Sequence, residues 1–119
     1  MRDLNPDLLP GSFVYVSLPE TGVGDVTVHA TVLEPEGMSG VMKQDDADRL
    51  GLDYDYVAGW ITLRIDSSAA EVGITALFSV ALAEAGISCN VIAGIRHDHL
   101  LVPADRADEA MSLLAELSV

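Results

Sequence analysis

The residues best placed to do chemistry surround a predicted strand, helix and strand in the second half of the chain. The first strand, 61–66, ends in a carboxylate, and the predicted helix 67–85 carries Gly73 near its start. A helix amino end presents unpaired N–H groups and partial positive charge, so it can hold a small anion without a basic side chain. Asn90 follows on the second strand, predicted over 86–95. The pattern favours binding over catalysis, because no nucleophile elbow or oxyanion-loop motif accompanies it.

The same residues also have a purely structural interpretation. Asp66 and Ser68 can cap the helix, and Asn90 can hold a turn or the edge of the sheet. The stretch 68–71 has the spacing of a capping box. Inside a helix Gly73 costs about 1 kcal/mol relative to alanine. This cost indicates a close backbone approach, made either by a ligand or by packing.

Three histidines and one cysteine are the remaining candidates for chemistry. His97 and His99 are alternate residues, which share a face on a strand, and imidazole binds zinc, copper or nickel. A stable site needs a third ligand, and His29 is the only other histidine. Since neither ligand number nor spacing fits a zinc pattern, we predict no metal, no cofactor and a polar hairpin topped by Asp98. Cys89 is predicted to be a small core side chain rather than a nucleophile.

Composition limits the partners. Nineteen acidic residues against six basic ones give a net charge of -13. This charge repels phosphate backbones and excludes nucleic acid, and it is interpreted as a source of solubility, an adaptation to salt or an acidic docking surface. No apolar run approaches the roughly 18 residues that cross a bilayer, and residues 1–6 do not form a targeting segment. We therefore predict a cytoplasmic protein that does not bind membranes.

The 119 residues fit one compact unit,. Turn signals at Asn5-Pro6 and Pro10-Gly11 predict an irregular entry arm. The alternation of Val26, Val28, Ala30 and Val32 predicts a half-buried strand with those four residues on one face. Other strands are predicted at 13–18, 39–42 and 99–102, and helices at 45–50 and after Pro103. The predicted core stripe of the 67–85 helix is Ile74, Leu77, Phe78, Ala81, Leu82 and Ala85, and that of the last helix is Ala107, Ala110, Met111, Leu114 and Leu117.

A weak internal repeat links the two halves. Residues 41–48 match residues 101–108 at Asp45, Ala47 and Asp48, and both copies predict a strand followed by a helix with an acidic start. Acidic residues at a helix start are also expected from the helix dipole alone. In the first half, a glycine-rich loop at 22–24 takes the place of the first helix.

From Trp60 onward the sequence resembles an ACT domain, a small βαββαβ regulatory module. The matching features are Asp66 after the first strand, Val72-Gly73-Ile74 at the helix start, and the turn within 82–91. Nearly the whole chain resembles a bacterial and archaeal group of uncharacterised proteins with two tandem ACT-like modules. Two departures are Val72 in place of the usual proline and the lack of a final strand after Leu117.

The resemblance implies an α+β, ferredoxin-like fold with an antiparallel sheet and helices on one face. It implies a degenerate N-terminal half at 1–58 and an ACT domain at 59–119. A strand from the first half is expected to complete the sheet of the second.

The resemblance also implies a non-catalytic function. ACT modules bind amino acids between two modules, which implies an amino acid or similar zwitterion as ligand and a homo-oligomer, expected to be a dimer. The implied ligand-binding residues are Asp66, Val72, Gly73, Ile74 and Asn90. The alternative is a structural or protein-interaction module that oligomerises without a ligand.

Overall fold

The structure is a computed structural model that describes residues 2–66 and 72–119. The chain divides into a larger unit, residues 1–10 and 59–119, and a smaller unit, residues 11–58. The strands and helices, in chain order, are β1 (Pro6–Leu8), β2 (Phe13–Ser17), β3 (Val28–Glu34), β4 (Gly37–Lys43), α1 (Gln44–Leu50), β5 (Val57–Leu63), α2 (Ile74–Glu84), β6 (Asn90–Ala93), β7 (Asp98–Pro103) and α3 (Ala107–Ala115). No helix of the described residues is long and apolar enough to cross a bilayer.

The N-terminal residues belong to the larger unit, where they complete the sheet. β1 pairs antiparallel with β5, with Pro6 opposite Leu63, and β5 is followed in the sheet by β7 and β6. The Asp3–Ser118 bridge joins the two ends of the chain. The predicted irregular arm is therefore wrong, since proline is tolerated at the start of an edge strand. The expected strand from the first half is confirmed.

The core of the larger unit lies between one face of this sheet and the helices α2 and α3. Ile61 and Leu63 of β5 contribute to it, as do Leu100 and Val102 of β7. The helices contribute Ile74, Phe78, Leu82, Ala107, Ala110 and Leu114. The predicted stripes are thus confirmed at their centres. Their other members, Leu77, Ala81, Ala85, Met111 and Leu117, are half-buried.

Helix α2 begins at Ile74, and residues 67–71, with the predicted capping box 68–71, lie outside the described residues. Gly73 is the N-cap of α2 rather than an interior residue, with φ 101° and ψ −21°. That backbone conformation strains any L-residue, which explains the glycine. At the other end Gly86 has φ 72°, and the Ile87 N–H donates to the Leu82 carbonyl at 2.9 Å. The predicted left-handed stop is confirmed as a Schellman motif.

The smaller unit has a sheet of β3, β4 and β2, and β2 also pairs with Val57 and Ala58 of β5. Its core contains Val14, Val16 and Met42. The segment between β2 and β3, all of which the structure describes, contains no helix. The prediction that a loop replaces this helix is therefore confirmed.

A register shift in β3 breaks the predicted alternation of valines. Val28 lies opposite Met42 and Ala30 lies opposite Val41, with the irregularity between them at His29. Because Met42 and Val41 are adjacent, they point to opposite faces of the sheet, and so do Val28 and Ala30. The prediction of a single valine face is therefore wrong.

The internal repeat corresponds to equivalent elements in the two units. Both β4 and β7 run directly into helical segments, α1 and, through a 3-10 turn at Ala104–Arg106, α3. The matched Ala47 and Ala107 are both buried against their own sheets. Each unit therefore keeps a strand, hairpin and helix, and only the larger unit has α2. The architecture is α+β and ferredoxin-like, as predicted.

Candidate functional site

The amino end of α2 presents backbone N–H donors. Among the described residues no side chain caps this end, and its first turn carries no acidic residue. The first helical bond runs from the Leu77 N–H to the Gly73 carbonyl at 3.0 Å. The N–H groups at 74–76 precede that bond, so they point out of the helix with its positive dipole end.

The predicted site residues around this end differ in exposure. Asp66 is exposed, and its backbone carbonyl accepts a hydrogen bond from Arg2 Nη1 at 2.9 Å. Val72 is 93% exposed, whereas Ile74 is 4% exposed and its side chain packs in the core. Only the backbone of Ile74 is therefore available to a ligand, while Val72 offers a bare apolar surface.

Asn90 lies away from the other predicted site residues. His97 Nδ1 is 3.3 Å from the Ile65 carbonyl, which places Asp66 near the start of β7. Asn90 is exposed and pairs with Leu101, four residues further along β7. At about 3.3 Å per residue, the offset along the sheet is about 13 Å. Within one chain the structure therefore places Asp66 and Asn90 at different levels of the sheet, while Val72, Gly73 and Ile74 lie at the amino end of α2.

Two family models match the chain in tandem. Both describe an ACT domain, and they cover residues 1–59 and 56–116. The chain belongs to the ACT domain family. ACT domains are regulatory, non-catalytic modules known for binding small molecules such as amino acids.

Solved structures place the same architecture in other organisms. A protein of unknown function from Vibrio cholerae, described as a possible transport protein, is 36% identical, with a TM-score of 0.89 over 99% of this chain and 92% of that one. The ligand-free regulatory subunit of aspartate kinase from Thermus thermophilus is 12% identical, with a TM-score of 0.71 over 100% of both chains. A protein from Agrobacterium tumefaciens is 22% identical, with a TM-score of 0.69 over 97% and 89% of the two chains. A search of curated protein sequences gave no match.

A row of interacting polar side chains lies on the sheet face opposite the core helices. Trp60 Nε1 donates to Thr62 Oγ1 at 3.0 Å, and Thr62 Oγ1 lies 2.9 Å from His99 Nδ1. The Trp60 and His99 rings are 5.4 Å apart between centroids. Burial lowers the pKa of His99, and the cationic forms of His97 and Arg64 act in the same direction. The sequence places Trp60 and Thr62 on one face, but the cross-strand pairing that brings His99 to them appears only in the structure.

The imidazoles of His97 and His99 have different hydrogen-bond partners and do not form a shared set of metal ligands. His97 Nδ1 donates to the Ile65 carbonyl, and His29 lies edge-on against Phe13 in the smaller unit, with centroids 5.0 Å apart. No group of three His, Cys, Asp or Glu side chains suited to a metal occurs within residues 2–66 and 72–119. Asp98 is the first residue of β7 rather than the top of the hairpin, because the turn closes between Gly94 N–H and the His97 carbonyl.

Cys89 packs half-buried against the core of the larger unit. Burial raises the pKa of its thiol to about 11, so the thiol stays protonated at neutral pH. A thiol is a poor nucleophile compared with a thiolate. The predicted core role is confirmed.

The smaller ACT unit carries two depressions that the sequence does not predict. They adjoin the turn between β3 and β4 and have volumes of about 530 and 540 Å³. Both are lined by Ser17, Glu36, Gly37 and Met38. The one signal in the sequence is the pair Val32-Leu33, two consecutive apolar residues directly before a polar turn.

Proposed function

We propose that this chain is a non-catalytic, cytoplasmic sensing module that binds an amino acid or a similar zwitterion at the amino end of α2. Membership of the ACT family supports a regulatory function with a small ligand. The proposal assigns the ligand carboxylate to the N–H groups of Gly73 and Ile74, and the ligand ammonium to the Asp66 carboxylate. Val72 supplies an apolar wall.

The observation that carries this proposal is the glycine N-cap of α2. Gly73 holds the left-handed conformation with φ 101° and places no side chain over the helix end. The positive φ accounts for the glycine, and a Cβ added to it would meet no described atom within 4 Å, so the described residues leave the space beside Gly73 open. An open, uncapped helix end binds a carboxylate through the backbone alone. This suits a protein that has six basic residues.

Asn90 takes part only if a second copy of the chain supplies it. The offset of about 13 Å along the sheet is too long for one small zwitterion to touch both Asp66 and Asn90 of the same chain. A symmetric dimer gives each site Asp66 and Gly73 from one copy and Asn90 from the other. The proposed homodimer therefore has two equivalent ligand sites.

A thermal scan tests ligand binding. The twenty amino acids are added singly at millimolar concentration, and a ligand that binds the folded state raises Tm. We expect Tm to rise with one amino acid or a small related group. Asp66→Ala and Asn90→Ala should each abolish that rise, while Glu84→Ala, at the far end of α2, should retain it. If no amino acid stabilises the parent protein, the ligand proposal is wrong.

Mixed dimers test whether the site is shared. Asp66→Ala and Asn90→Ala are each expected to bind nothing when alone. After the two variants are unfolded, mixed and refolded, a mixed dimer combines an intact Asp66 with an intact Asn90 in one of its two sites. Calorimetry should then recover about one quarter of the parental sites, since half of the dimers are mixed and each has one intact site. Zero recovery would contradict the shared site.

The alternative function is an interaction module that assembles without a ligand. The observation that favours it is the exposure of two large apolar residues in the larger unit, Val72 at 93% and Ile95 at 91%. Scattered exposed apolar residues are normal, whereas exposed apolar residues that form one contiguous patch mark an interface. This alternative would be established if no amino acid raises Tm in the scan and if Ile95→Ser dissociates a dimer of the parent protein.

A further inference from the structure

The outer strand β3 of the smaller unit is an unusually apolar edge. Among the strands that the structure describes, β3 has a neighbour, β4, on one side only. Val32 is 58% exposed and Leu33 is 77% exposed, and they point to opposite faces. Protein edge strands are normally protected by lysine, proline, a bulge or a covering segment, because bare edges recruit further strands. The bulge at His29 protects only the start of β3, so residues 31–33 remain a flat and open edge.

The backbone of this edge offers hydrogen-bonding groups in a known order. Glu34 and Gly37 are paired and flank the two-residue turn at 35–36, so they form the hydrogen-bonded pair next to the turn,. Antiparallel pairs alternate, so Leu33 and Thr31 direct their N–H and C=O groups away from β4. An added strand can therefore pair with Leu33 and Thr31 without displacing β4.

The surroundings of this edge select the charge of the incoming strand. One depression is lined by Val32 and Glu34 of β3 together with residues of β2 and β4, and the other by residues within 17–23 and 36–38, with no residue of β3. Glu20, Glu34 and Glu36 line them, and no basic residue is among the described residues that do. The smaller unit carries nine carboxylates and two basic side chains. Of these two, Arg49 already pairs with Asp46 at 2.8 Å.

We propose that the free edge of β3 binds an extended, basic and apolar peptide segment of a partner protein by strand addition. Main-chain hydrogen bonds to Leu33 and Thr31 supply the pairing, and the depression beside Val32 takes side chains from one face of the added strand. The partner's lysine or arginine side chains meet Glu34 and Glu36. A second copy of this chain fits less well, because pairing two β3 edges brings the carboxylates of both copies together.

Three synthetic peptides test strand addition. The first is a decapeptide that alternates lysine with valine, the second replaces each lysine with glutamate, and the third is the lysine peptide with every backbone nitrogen methylated. The lysine peptide should bind in calorimetry at moderate salt, and the glutamate peptide should not. The methylated peptide keeps charge and hydrophobicity but lacks the donors, so its affinity should fall at least about tenfold, a change of about 1.4 kcal/mol. Equal binding of both lysine peptides would show charge attraction alone and overturn the proposal.

Two variants at one position locate the binding edge. Leu33→Pro removes the outward N–H while leaving the ladder to β4, whereas Leu33→Thr keeps the N–H and loses a similar apolar side chain. Far-ultraviolet circular dichroism checks that both are folded. We expect affinity for the lysine peptide to fall at least about tenfold in Leu33→Pro and at most about threefold in Leu33→Thr. Equal affinities in the two variants, no binding by the parent, or a parent dimer that Leu33→Pro dissociates would each overturn the proposal.

Discussion

The two units show what one helix contributes to an ACT module. Among the described residues, α2 contributes Ile74, Phe78 and Leu82 to the core of the larger unit, whereas the smaller unit has a loop in place of this helix and a core that includes Val14, Val16, Met42 and Ala47. Both retain the strand, hairpin and acidic-start helix that the internal repeat predicts. The helix α2 is therefore one difference between the units, and it supplies three buried residues to the core of the larger unit.

The same difference separates the candidate activities. The proposed ligand site lies at the amino end of α2, which belongs to the larger unit. The smaller unit has an open edge strand beside an acidic depression instead. The degenerate half is thus suited to a different kind of partner.

Removing the centre of α2 should have the largest effect on stability. Phe78 is fully buried in the core of the larger unit, so Phe78→Ala should lower the free energy of unfolding by about 3 to 5 kcal/mol. The control is Val23→Ala in the loop that replaces the helix, where Val23 is only half-buried, and it should lose less than about 1 kcal/mol. Urea unfolding measures both. Similar losses would mean that the loop is as important to its core as α2 is.

Replacing a closely packed glycine in each unit with alanine should give the next largest loss of stability. A Cβ on Gly59 would lie 2.9 Å from the Ala107 Cβ, which has no flexible end to move. Gly59→Ala should therefore cost about 1 to 3 kcal/mol through overpacking. At Gly40 a Cβ would meet the side-chain methyl groups of Leu18 and Val28 at 3.0 Å. Because those groups can rotate, Gly40→Ala should be less destabilising in the same urea experiment, and the reverse order would contradict this account.

Arg106, whose side chain binds the carboxyl end of α2, should contribute less to the free energy of unfolding. Arg106 donates to the carbonyls of Ala85 and Gly86 at 2.9 Å and pairs with Glu109. Arg106→Ala should lower the free energy of unfolding by about 1 to 2 kcal/mol, because it removes two charge-assisted bonds to carbonyl groups at the end of the helix. The matched control is Arg49→Ala, whose surface pair with Asp46 should contribute under about 0.5 kcal/mol. Thermal unfolding of both variants is the measurement, and equal losses would assign Arg106 to an ordinary surface pair.

The fold could be predicted where local patterns agree with tertiary burial. The 3.6-residue period identified Ile74, Phe78 and Leu82, and the glycine at 86 marked the helix end. The pairing of β1 with β5 was harder to predict, because the turn signals around Pro6 are also compatible with an edge strand. The bulge at His29 was missed because alternation alone carries no information on register.

The candidate site was less predictable than the fold. The family resemblance selected residues from one sequence without saying which copy of the chain supplies each. Asp66 and Asn90 are 24 positions apart in the sequence, and only strand register shows that they lie at different levels of the sheet. The open edge at Val32 and Leu33 was missed for a related reason, because exposure of a strand depends on its neighbours. No local pattern specifies the order of strands.

The smallest expected effect is the loss of stability in acid that arises from the two partly buried histidines. Burial lowers the pKa of His99 in the larger unit and of His29 in the smaller unit. A histidine with a lowered folded pKa binds fewer protons folded than unfolded, so its share of stability is complete above about pH 6.5 and declines as pH falls below it. His99→Gln should therefore lose less stability than the parent between pH 8 and pH 5. Because Trp60 is the single tryptophan and lies 5.4 Å from His99 between ring centroids, its fluorescence should follow His99 protonation in the parent and in His29→Gln. An unchanged fluorescence titration in His99→Gln would show that the acid response begins elsewhere.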